Sequence, residues 1–323
     1  MSRVSFEDVL KAHERIVSHI HKTPVFTSSS VDKIAGRKVY FKAECLQKTG
    51  SFKARGALNA ILALKDTGNS SAGVVTHSSG NHGQAVAWAS RLAGLPCSVI
   101  VPQDTTAVKQ DAIKGYGANL ILCESSPTSR VETCNKVAKE TGQVIIPPYD
   151  KYEVIAGQGT IAVELLTQVP DLDAIIVPIS GGGLISGIAT AAKEIKPNIR
   201  VYAVEPVGKD LEHCLREGKR LWPNPPTFLD TIADGIKTQQ VGQLTWPIVL
   251  SLVEKDVFTV SDEQIKDAMK FAFQRLKLVI EAAAGAAMAA VISQKMKQLD
   301  PAIAKVGVIL CGGNVDICNL PWK

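Results

Sequence analysis

The sequence predicts an α/β protein in which a mainly parallel sheet is covered by helices. Short apolar runs of strand length alternate with amphipathic stretches of helix length, which is the pattern of such a sheet. Several of the apolar runs end in a turn of Ser, Gly or Asn that opens the next helical stretch. A chain of 323 residues can bury a large core, and chains of this length commonly divide into two domains.

The first predicted elements are a strand over 39–44 and a helix over 50–64 that is entered through a turn. A compact αβ unit follows, with strands predicted over 74–77, 98–102 and 119–123 and helices over 84–93 and 107–116. The sequence Pro147-Pro148-Tyr149-Asp150 ends this unit and predicts a hinge. We therefore expect residues 73–150 to form a small domain that is inserted into a larger one, comprising residues 1–72 and 151–323.

The larger domain continues with a helix over 156–168, a strand over 174–179, a helix over 186–196 and a strand over 201–205. The candidate functional segments lie where a predicted strand gives way to a helix. Because open α/β sheets bind ligands at the carboxyl ends of their strands, this placement favours a functional site at those ends.

The composition argues against several classes of protein. Hydrophobic residues make up 46% of the chain and charged residues 21%, which is ordinary for a soluble globular protein. The net charge of +5 is spread along the chain and only 5% of residues are aromatic, so we expect no nucleic-acid partner. Residues 1–8 lack the apolar core of a secretion signal. The longest small-apolar stretch, 282–292, is shorter than the ~20 residues of a membrane span, so we expect no membrane segment.

The seven cysteines are scattered, their number is odd, and none forms a Cys-x-x-Cys pair. This distribution argues against a disulfide framework and against a zinc site, and it predicts a reducing, cytoplasmic environment. We expect most of these cysteines to be small buried hydrophobic side chains.

The glycine-rich segment Ser180–Gly183 follows an apolar strand and opens a helix. Its backbone N–H groups can converge on a phosphate beside the positive end of that helix. A dinucleotide is one candidate ligand, because Glu205 ends the following strand about twenty residues on, where a ribose-binding acid would lie. The segment departs from a clean G-x-G-x-x-G, so the loop alone leaves a nicotinamide cofactor and another phosphate ligand both open.

Lys53 distinguishes between these ligands when it is considered with three other segments. It lies in Ser51-Phe52-Lys53-Ala54-Arg55-Gly56, and the others are Ser78-Ser79-Gly80-Asn81-His82-Gly83, Ser180-Gly181-Gly182-Gly183-Leu184 and Cys311-Gly312-Gly313-Asn314. Over nearly the whole chain, their order and spacing resemble the serine racemase and serine/threonine dehydratase family of fold-type II pyridoxal phosphate enzymes. The resemblance implies a tryptophan synthase β-like fold, with two open, twisted, mainly parallel sheets flanked by helices.

The resemblance implies a site for pyridoxal 5'-phosphate. Lys53 would carry the cofactor and move the substrate's α-proton on one face, which burial of its amine would favour. Asn81 would hydrogen-bond the phenolic oxygen of the cofactor. Cys311 would face the pyridine nitrogen and leave it largely neutral, a departure from the serine of racemases that matches some serine dehydratases. The implied cofactor contacts are Phe52, Lys53, Asn81, Ser180, Gly181, Gly182, Gly183, Leu184 and Cys311.

The resemblance also implies a substrate site in which Ser79 faces the α-carbon opposite Lys53. Inversion of that carbon needs one proton-transfer group on each face, and many dehydratases of the family have Ala at this position, so Ser79 favours a racemase. Arg130 would close over the substrate carboxylate. Tyr149 departs from the small polar residue of racemases, and the segment 149–152 lacks the serine run of animal aspartate racemases. The implied substrate contacts are Ser78, Ser79, Gly80, His82, Arg130 and Thr238.

Two effectors are implied by the same resemblance. ATP would be an allosteric activator bound between the subunits of a homodimer, at Ser28, Ser29, Ser30, Lys48, Thr49, Gln84, Tyr116, Lys277 and Asn314. A divalent cation, Mg²⁺ or alternatively Ca²⁺ or Mn²⁺, would bind Glu205, since this residue matches the first carboxylate of the family's site. The second carboxylate falls on Leu211, so a shift of one residue would make Asp210 and the Lys209 carbonyl the remaining ligands.

The function that these residues predict is racemisation of L-serine to D-serine, with β-elimination of serine to pyruvate and ammonia as a second activity. The main alternative is a serine/threonine dehydratase without significant racemase activity. A nicotinamide-dependent oxidoreductase and a non-catalytic sensor of an amino acid or nucleotide are more remote alternatives.

Overall fold

The computed structural model describes residues 4–70, 72–224 and 227–322, so the first three residues of the segment considered as a secretion signal lie outside the described residues. The strands are β1 Val25–Thr27, β2 Lys38–Lys42, β3 Val74–His77, β4 Cys97–Pro102, β5 Asn119–Cys123, β6 Val144–Ile145, β7 Ala174–Pro178, β8 Arg200–Pro206, β9 Phe258–Val260 and β10 Lys305–Ile309. The helices are α1 Phe6–Ile16, α2 Ser29–Ala35, α3 Lys53–Asp66, α4 Asn81–Ala93, α5 Ala107–Gly115, α6 Pro127–Thr141, α7 Tyr152–Gln168, α8 Gly183–Ile195, α9 Leu211–Glu217, α10 Trp246–Leu252, α11 Asp262–Phe271, α12 Ala282–Val291 and α13 Gln294–Gln298.

The strands form two sheets. The larger sheet has the order β1-β2-β10-β7-β8-β9 and the smaller one β5-β4-β3-β6. β1 pairs with β2 in antiparallel fashion, and the other described pairings are parallel. The predicted fold class, two mainly parallel sheets flanked by helices, is confirmed. The strands of the smaller sheet lie between residues 74 and 145, whereas the predicted domain boundaries remain a prediction.

The core of the larger sheet explains the apolar runs in the sequence. Each residue of β7 is buried, as expected for a strand that is covered on both faces. Helix α12 packs against β7, β8, β9 and β10, and its small side chains allow close approach to the sheet. Within the described residues, no helix is both long enough and apolar enough to cross a membrane.

The observed bounds differ from the predicted ones mainly at helix starts. Strands β3 and β5 have the predicted limits, but the helices predicted to begin at 84, 156 and 186 begin at 81, 152 and 183. The first turn of α4, Asn81-His82-Gly83, has no apolar side chain to give a periodicity, and α8 opens on Gly183. The missed turns are functionally important, because two of these helices begin within the predicted cofactor segments.

Candidate active site

Lys53 is the first residue of α3, and the end of β10 fixes its backbone. The Phe52 backbone N–H donates to the Cys311 carbonyl at 3.0 Å, and Ser51 forms an isolated antiparallel bridge with Gly312. The Lys53 amine donates to the Pro148 carbonyl at 2.5 Å. Burial lowers the pKa of Lys53 from 10.5 to about 8, although Cys311 and Glu281 raise it. An amine that is partly neutral near neutral pH suits nucleophilic attack and proton transfer.

Cys311 follows β10 and is only 2% exposed. Burial raises the pKa of its thiol well above the usual value, and the neighbouring acids Glu281 and Cys45 raise it further. Cys311 and Lys53 influence each other's pKa, so the two predicted cofactor contacts lie in the same region. A neutral thiol leaves a pyridine nitrogen unprotonated, which weakens the ring as an electron sink.

Asn81 is the first residue of α4 and contacts a carboxylate that the sequence analysis did not identify. Its Nδ2 donates to both oxygens of Glu281, at 2.8 and 2.9 Å, and its Oδ1 accepts a hydrogen bond from Asn314 at 2.8 Å. Glu281 is the N-cap residue of α12, and its own N–H donates to the Gly312 carbonyl. Burial raises the pKa of Glu281 to about 7, although the Asn81 hydrogen bond lowers it.

The turn between β3 and α4 contains the predicted substrate contacts Ser78, Ser79 and Gly80, and a fourth, His82, lies in the first turn of α4. The Gly80 N–H donates to the Ser78 hydroxyl at 3.3 Å, which orders the turn. His82 is buried, with its Nε2 2.9 Å from the Ile146 carbonyl. Burial lowers the pKa of His82 to about 3, and the nearby Lys53 lowers it further, so the imidazole is neutral. Its Nδ1 and the Ser51 hydroxyl are buried without a partner among the described residues, and a bound ligand commonly satisfies such groups.

The glycine loop 180–183 forms a backbone cradle at the start of α8. Gly182 has a φ of +93°, which only glycine adopts readily, and a Cβ there would lie 2.8 Å from the Thr245 hydroxyl oxygen. A side chain at Gly181 or Gly183 would collide with Tyr149. The Thr245 hydroxyl and the Gly242 N–H both donate to the Gly181 carbonyl, at 2.7 and 3.0 Å. Bare N–H groups at a helix start fit a phosphate, so these residues are suited to hold the phosphate of pyridoxal phosphate.

A cavity of about 270 Å³ lies beside the turn between β3 and α4, lined by residues between 79 and 130, in the region of the smaller sheet, and by residues between 228 and 237. Its lining includes Ser79 and Arg130 together with Lys109, Asp234 and Lys237. Asp234 accepts hydrogen bonds from Lys109 at 2.8 Å and is 2.6 Å from Lys237. Although burial opposes it, Lys109 and Lys237 hold the pKa of Asp234 at about 2. The cavity is therefore bordered by fixed charges of both signs, as an amino-acid substrate requires.

Phe228 supports the cationic side of this cavity. The Arg130 guanidinium and the Lys237 ammonium each lie 5.0 Å from the centre of its ring. Thr238, another predicted substrate contact, pairs with Phe228 in an isolated antiparallel bridge. The structure thus gathers Ser79, Arg130 and Thr238 around one region.

A buried ionic cluster fixes the helix that carries Lys53. Arg55, two residues after Lys53, is fully buried and bonds both oxygens of Glu44 at 2.8 Å and both oxygens of Glu164 at 2.7 and 2.9 Å. Lys42 donates to Glu164 at 2.7 Å and to the Thr23 carbonyl at 2.8 Å. Paired and fully hydrogen-bonded charges of this kind are tolerated in a core and impose one geometry.

The residues predicted to bind a divalent cation do not fit one. Both Glu205 oxygens accept protein hydrogen bonds, from the Leu211 N–H at 2.9 Å and the Thr259 hydroxyl at 3.0 Å. The Lys209 carbonyl accepts the Trp222 indole N–H at 2.5 Å, and Asp210 is exposed. Among the described residues, no group of three or more His, Cys, Asp or Glu side chains is arranged to hold a metal. The arrangement of Glu205, Asp210 and the Lys209 carbonyl therefore does not support the predicted divalent-cation site.

The residues predicted to bind ATP are brought together only in part. The Asn314 amide donates to the Thr49 carbonyl at 2.7 Å as well as to Asn81, and Gln84 lies on α4. The Thr49 hydroxyl is buried without a partner among the described residues. Ser28 and Ser30 contact each other at the start of α2, whereas Lys277 donates to the Gln274 carbonyl. Lys48 precedes Thr49 in the same helical turn, but among the described residues no hydrogen bond joins Ser28, Ser29, Ser30, Tyr116 or Lys277 to Thr49 or Asn314.

Known proteins resemble this chain closely. Residues 16–312 match the family described as pyridoxal-phosphate dependent enzyme. Serine racemase of Mus musculus is 48% identical over 323 residues, which cover 99% of this chain and 94% of the mouse protein. A pyridoxal 5'-phosphate-dependent aspartate racemase superposes with a TM-score of 0.98 at 57% identity, covering 100% of this chain and 99% of that one. Maize serine racemase superposes with a TM-score of 0.93 at 45% identity, covering 98% and 95%.

Proposed function

This chain belongs to the pyridoxal-phosphate dependent enzyme family, and from that premise we propose that it interconverts L-serine and D-serine. Family membership removes the ground for a nicotinamide oxidoreductase and for a non-catalytic sensor. The observation that supports the proposal most directly is the Lys53 amine at the start of α3, whose pKa of about 8 suits proton transfer near neutral pH. The serine racemases at 45–48% identity over nearly the full chain support the choice of substrate.

We assign Lys53 and Ser79 to opposite faces of the substrate α-carbon. Pyridoxal phosphate, when bound, supplies the electron sink that acidifies the α-proton. Lys53 then exchanges that proton on one face, and the Ser79 hydroxyl exchanges it on the other. Arg130 and the N–H groups of the turn 78–82 hold the substrate carboxylate, and Asn81 and the glycine loop orient the cofactor.

The second activity that we propose is elimination of the β-hydroxyl of serine, which gives pyruvate and ammonia. It needs only one proton-transfer group, so Lys53 suffices for it. The test of both activities is incubation of the purified holoenzyme with L-serine, with D-serine measured by chiral chromatography and pyruvate in parallel. D-serine above background is the expected result, whereas pyruvate alone would identify a dehydratase.

Racemisation of aspartate is a second candidate. It is favoured by the 57% identity to an aspartate racemase and by the three cations Lys109, Arg130 and Lys237 at the cavity, which suit a second carboxylate. The discriminating measurement is kcat/KM for L-aspartate against L-serine on one enzyme preparation. A higher kcat/KM for L-aspartate would identify aspartate, and not serine, as the preferred substrate. In that case Lys237→Met should lower aspartate turnover and leave serine turnover nearly unchanged.

We also propose ATP as an effector and a homodimer as the assembly, in a reducing compartment such as the cytosol. Support for ATP comes from the Asn314 amide, which donates to both the Thr49 carbonyl and Asn81 Oδ1, since an effector at Thr49 would then act on a predicted cofactor contact. Six of the seven cysteines are buried, as expected for side chains that pack as hydrophobes in a reducing environment. Equilibrium binding of ATP and sedimentation of the holoenzyme test the two assignments separately.

A further inference from the structure

We propose that the side-chain ammonium of Lys209 replaces the divalent cation that the sequence predicts beside Glu205. The enzyme would then carry an internal, covalently attached cation at this position and would not need Mg²⁺, Ca²⁺ or Mn²⁺ there. Lys209 would act as a positioning residue for the chain segment that borders the cavity.

The carboxylate of Glu205 is the first reason. Glu205 is 2% exposed at the end of β8, and each of its oxygens already accepts a hydrogen bond. A divalent cation of this class needs six or more oxygen ligands, yet the Lys209 carbonyl is engaged by the Trp222 indole. Asp210 is exposed and leaves the buried side of the loop without a second carboxylate.

The side chain of Lys209 places a buried cation among backbone carbonyls in the region of the predicted metal site. It has no exposed surface, and its ammonium donates to the carbonyls of Thr238 and Gln239 at 2.7 and 2.8 Å. It also lies 5.8 Å from the centre of the Trp222 ring, within reach of a cation–π contact. Backbone carbonyls that converge on one buried cation are the oxygen donors that hard metal ions use. A buried ammonium without such acceptors would be costly, so these contacts account for its burial.

The consequence concerns the substrate region. Thr238 is a predicted substrate contact, and the adjacent Lys237 lines the cavity with Ser79 and Arg130. The Leu229 N–H donates to the Lys237 carbonyl at 2.8 Å, which connects the segment to Phe228. By holding the carbonyls of residues 238 and 239, Lys209 ties this segment to the end of β8. The Lys209 ammonium, which lies outside the cavity, would thereby fix the position of the segment 237–239 that borders it.

The first test measures metal binding on the nucleotide-free holoenzyme and needs no turnover, so its result is independent of the proposed activity. We expect titration calorimetry with CaCl₂ or MnCl₂ to show no saturable site, and the melting temperature to be the same in EDTA and in either metal. Saturable binding of one ion per chain that Glu205→Gln abolishes would overturn the proposal. Binding that survives Glu205→Gln would lie elsewhere and would leave the Glu205 region free of metal, as proposed.

The second test concerns the positioning role of Lys209. We expect Lys209→Met, which keeps the length of the side chain and removes its donors, to raise KM roughly tenfold with a smaller change in kcat. Lys209→Arg keeps the charge and should recover part of the loss, and the exposed Lys255→Met is the matched control. If Lys209→Met keeps both the wild-type KM and the wild-type melting temperature, Lys209 does not hold the segment. If the variant does not fold, the calorimetry on the wild-type holoenzyme still decides the proposal.

Discussion

Asn81 donates from a single amide nitrogen to both carboxylate oxygens of Glu281, at 2.8 and 2.9 Å, although the two residues are 200 positions apart. The contact joins the start of α4, beside the smaller sheet, to the N-cap of α12, which packs on the larger sheet. Asn314 extends it by bonding both Asn81 and Thr49. A predicted cofactor contact and two predicted nucleotide contacts therefore share one hydrogen-bond chain, and Glu281 is its titratable member.

The first prediction follows from the pKa of Glu281, which burial raises from 4.5 to about 7 in the folded protein. Between these two values the folded state binds a proton that the unfolded state has released, so this group's contribution to stability falls as pH rises. Its full size is on the order of 3 kcal/mol, since each tenfold change in proton affinity is worth about 1.4 kcal/mol. We expect Glu281→Gln to remove much of the fall in unfolding free energy between pH 5 and 8, as measured by urea denaturation of cofactor-free protein. An unchanged pH profile in the variant would show that Glu281 is ionised throughout.

The second prediction concerns Lys53, whose pKa burial lowers from 10.5 to about 8. Only the neutral amine attacks an aldehyde, so the rate at which cofactor-free protein captures pyridoxal phosphate should follow the deprotonation of Lys53. We expect the rate to rise about tenfold per pH unit below pH 8 and to level off above it. The measurement is the growth of the absorbance of the protein-bound Schiff base over that of free pyridoxal phosphate, with Lys53→Ala as the control that shows no such growth. A midpoint near 10 would mean that the amine is not desolvated before the cofactor enters.

The sequence could predict cofactor segments because each consists of neighbouring residues, and those at 78–83 and 180–184 lie where a strand gives way to a helix. The glycine loop was predicted from its own pattern, whereas Lys53 and Asn81 were assigned through the resemblance that the four segments carry together, and helices begin at Lys53, Asn81 and Gly183. Glu281 was missed because its partner is distant in the chain and nothing near it marks an acid as functional. Lys209 was considered only for its carbonyl, since lysine is rarely buried without a partner and its acceptors lie about thirty residues on. Contacts between residues far apart in the chain, such as Lys109 on α5 with Asp234, have no local signal at all.

The third prediction concerns the ion pair between Lys109 on α5 and Asp234, which lies across the cavity from the smaller sheet. Both side chains are about half exposed, so we expect the pair to contribute only ~1 kcal/mol or less and to weaken with salt. Asp234→Asn should therefore raise KM by a few-fold and make KM less dependent on ionic strength than in the wild type. The control is Asp104→Asn, because Asp104 is exposed, also lines the cavity and forms no ion pair among the described residues. If the KM of Asp234→Asn depends on ionic strength as strongly as that of the wild type, a charged group other than Asp234 causes the salt dependence.

The fourth prediction concerns Arg55, which is fully buried and bonded to Glu44 and Glu164. Removing its charge would leave two carboxylates facing each other in the core, so we expect Arg55→Met to lower the free energy of unfolding by about 3–5 kcal/mol. Arg55→Lys keeps the charge but loses the bidentate geometry. Its free energy of unfolding should therefore lie between those of the wild type and of Arg55→Met. Urea denaturation of the holoenzyme measures the loss, with the exposed Arg91→Met as the matched control. A loss below about 1 kcal/mol would mean that Lys42 alone neutralises the cluster.

The last prediction separates the two activities through Ser79, which lines the cavity beside Arg130. If its hydroxyl exchanges the α-proton on the face opposite Lys53, Ser79→Ala should reduce racemisation by about 10²-fold or more, the usual worth of a general acid or base. Elimination of L-serine begins with proton removal on the Lys53 face, so it should remain within a few-fold of the wild type. D-serine and pyruvate measured from the same reaction give both rates, and Ser78→Ala, one residue earlier in the same turn, controls for disturbance of the turn. Equal loss of both activities would contradict the two-face assignment, because a residue that only binds substrate would slow both reactions alike.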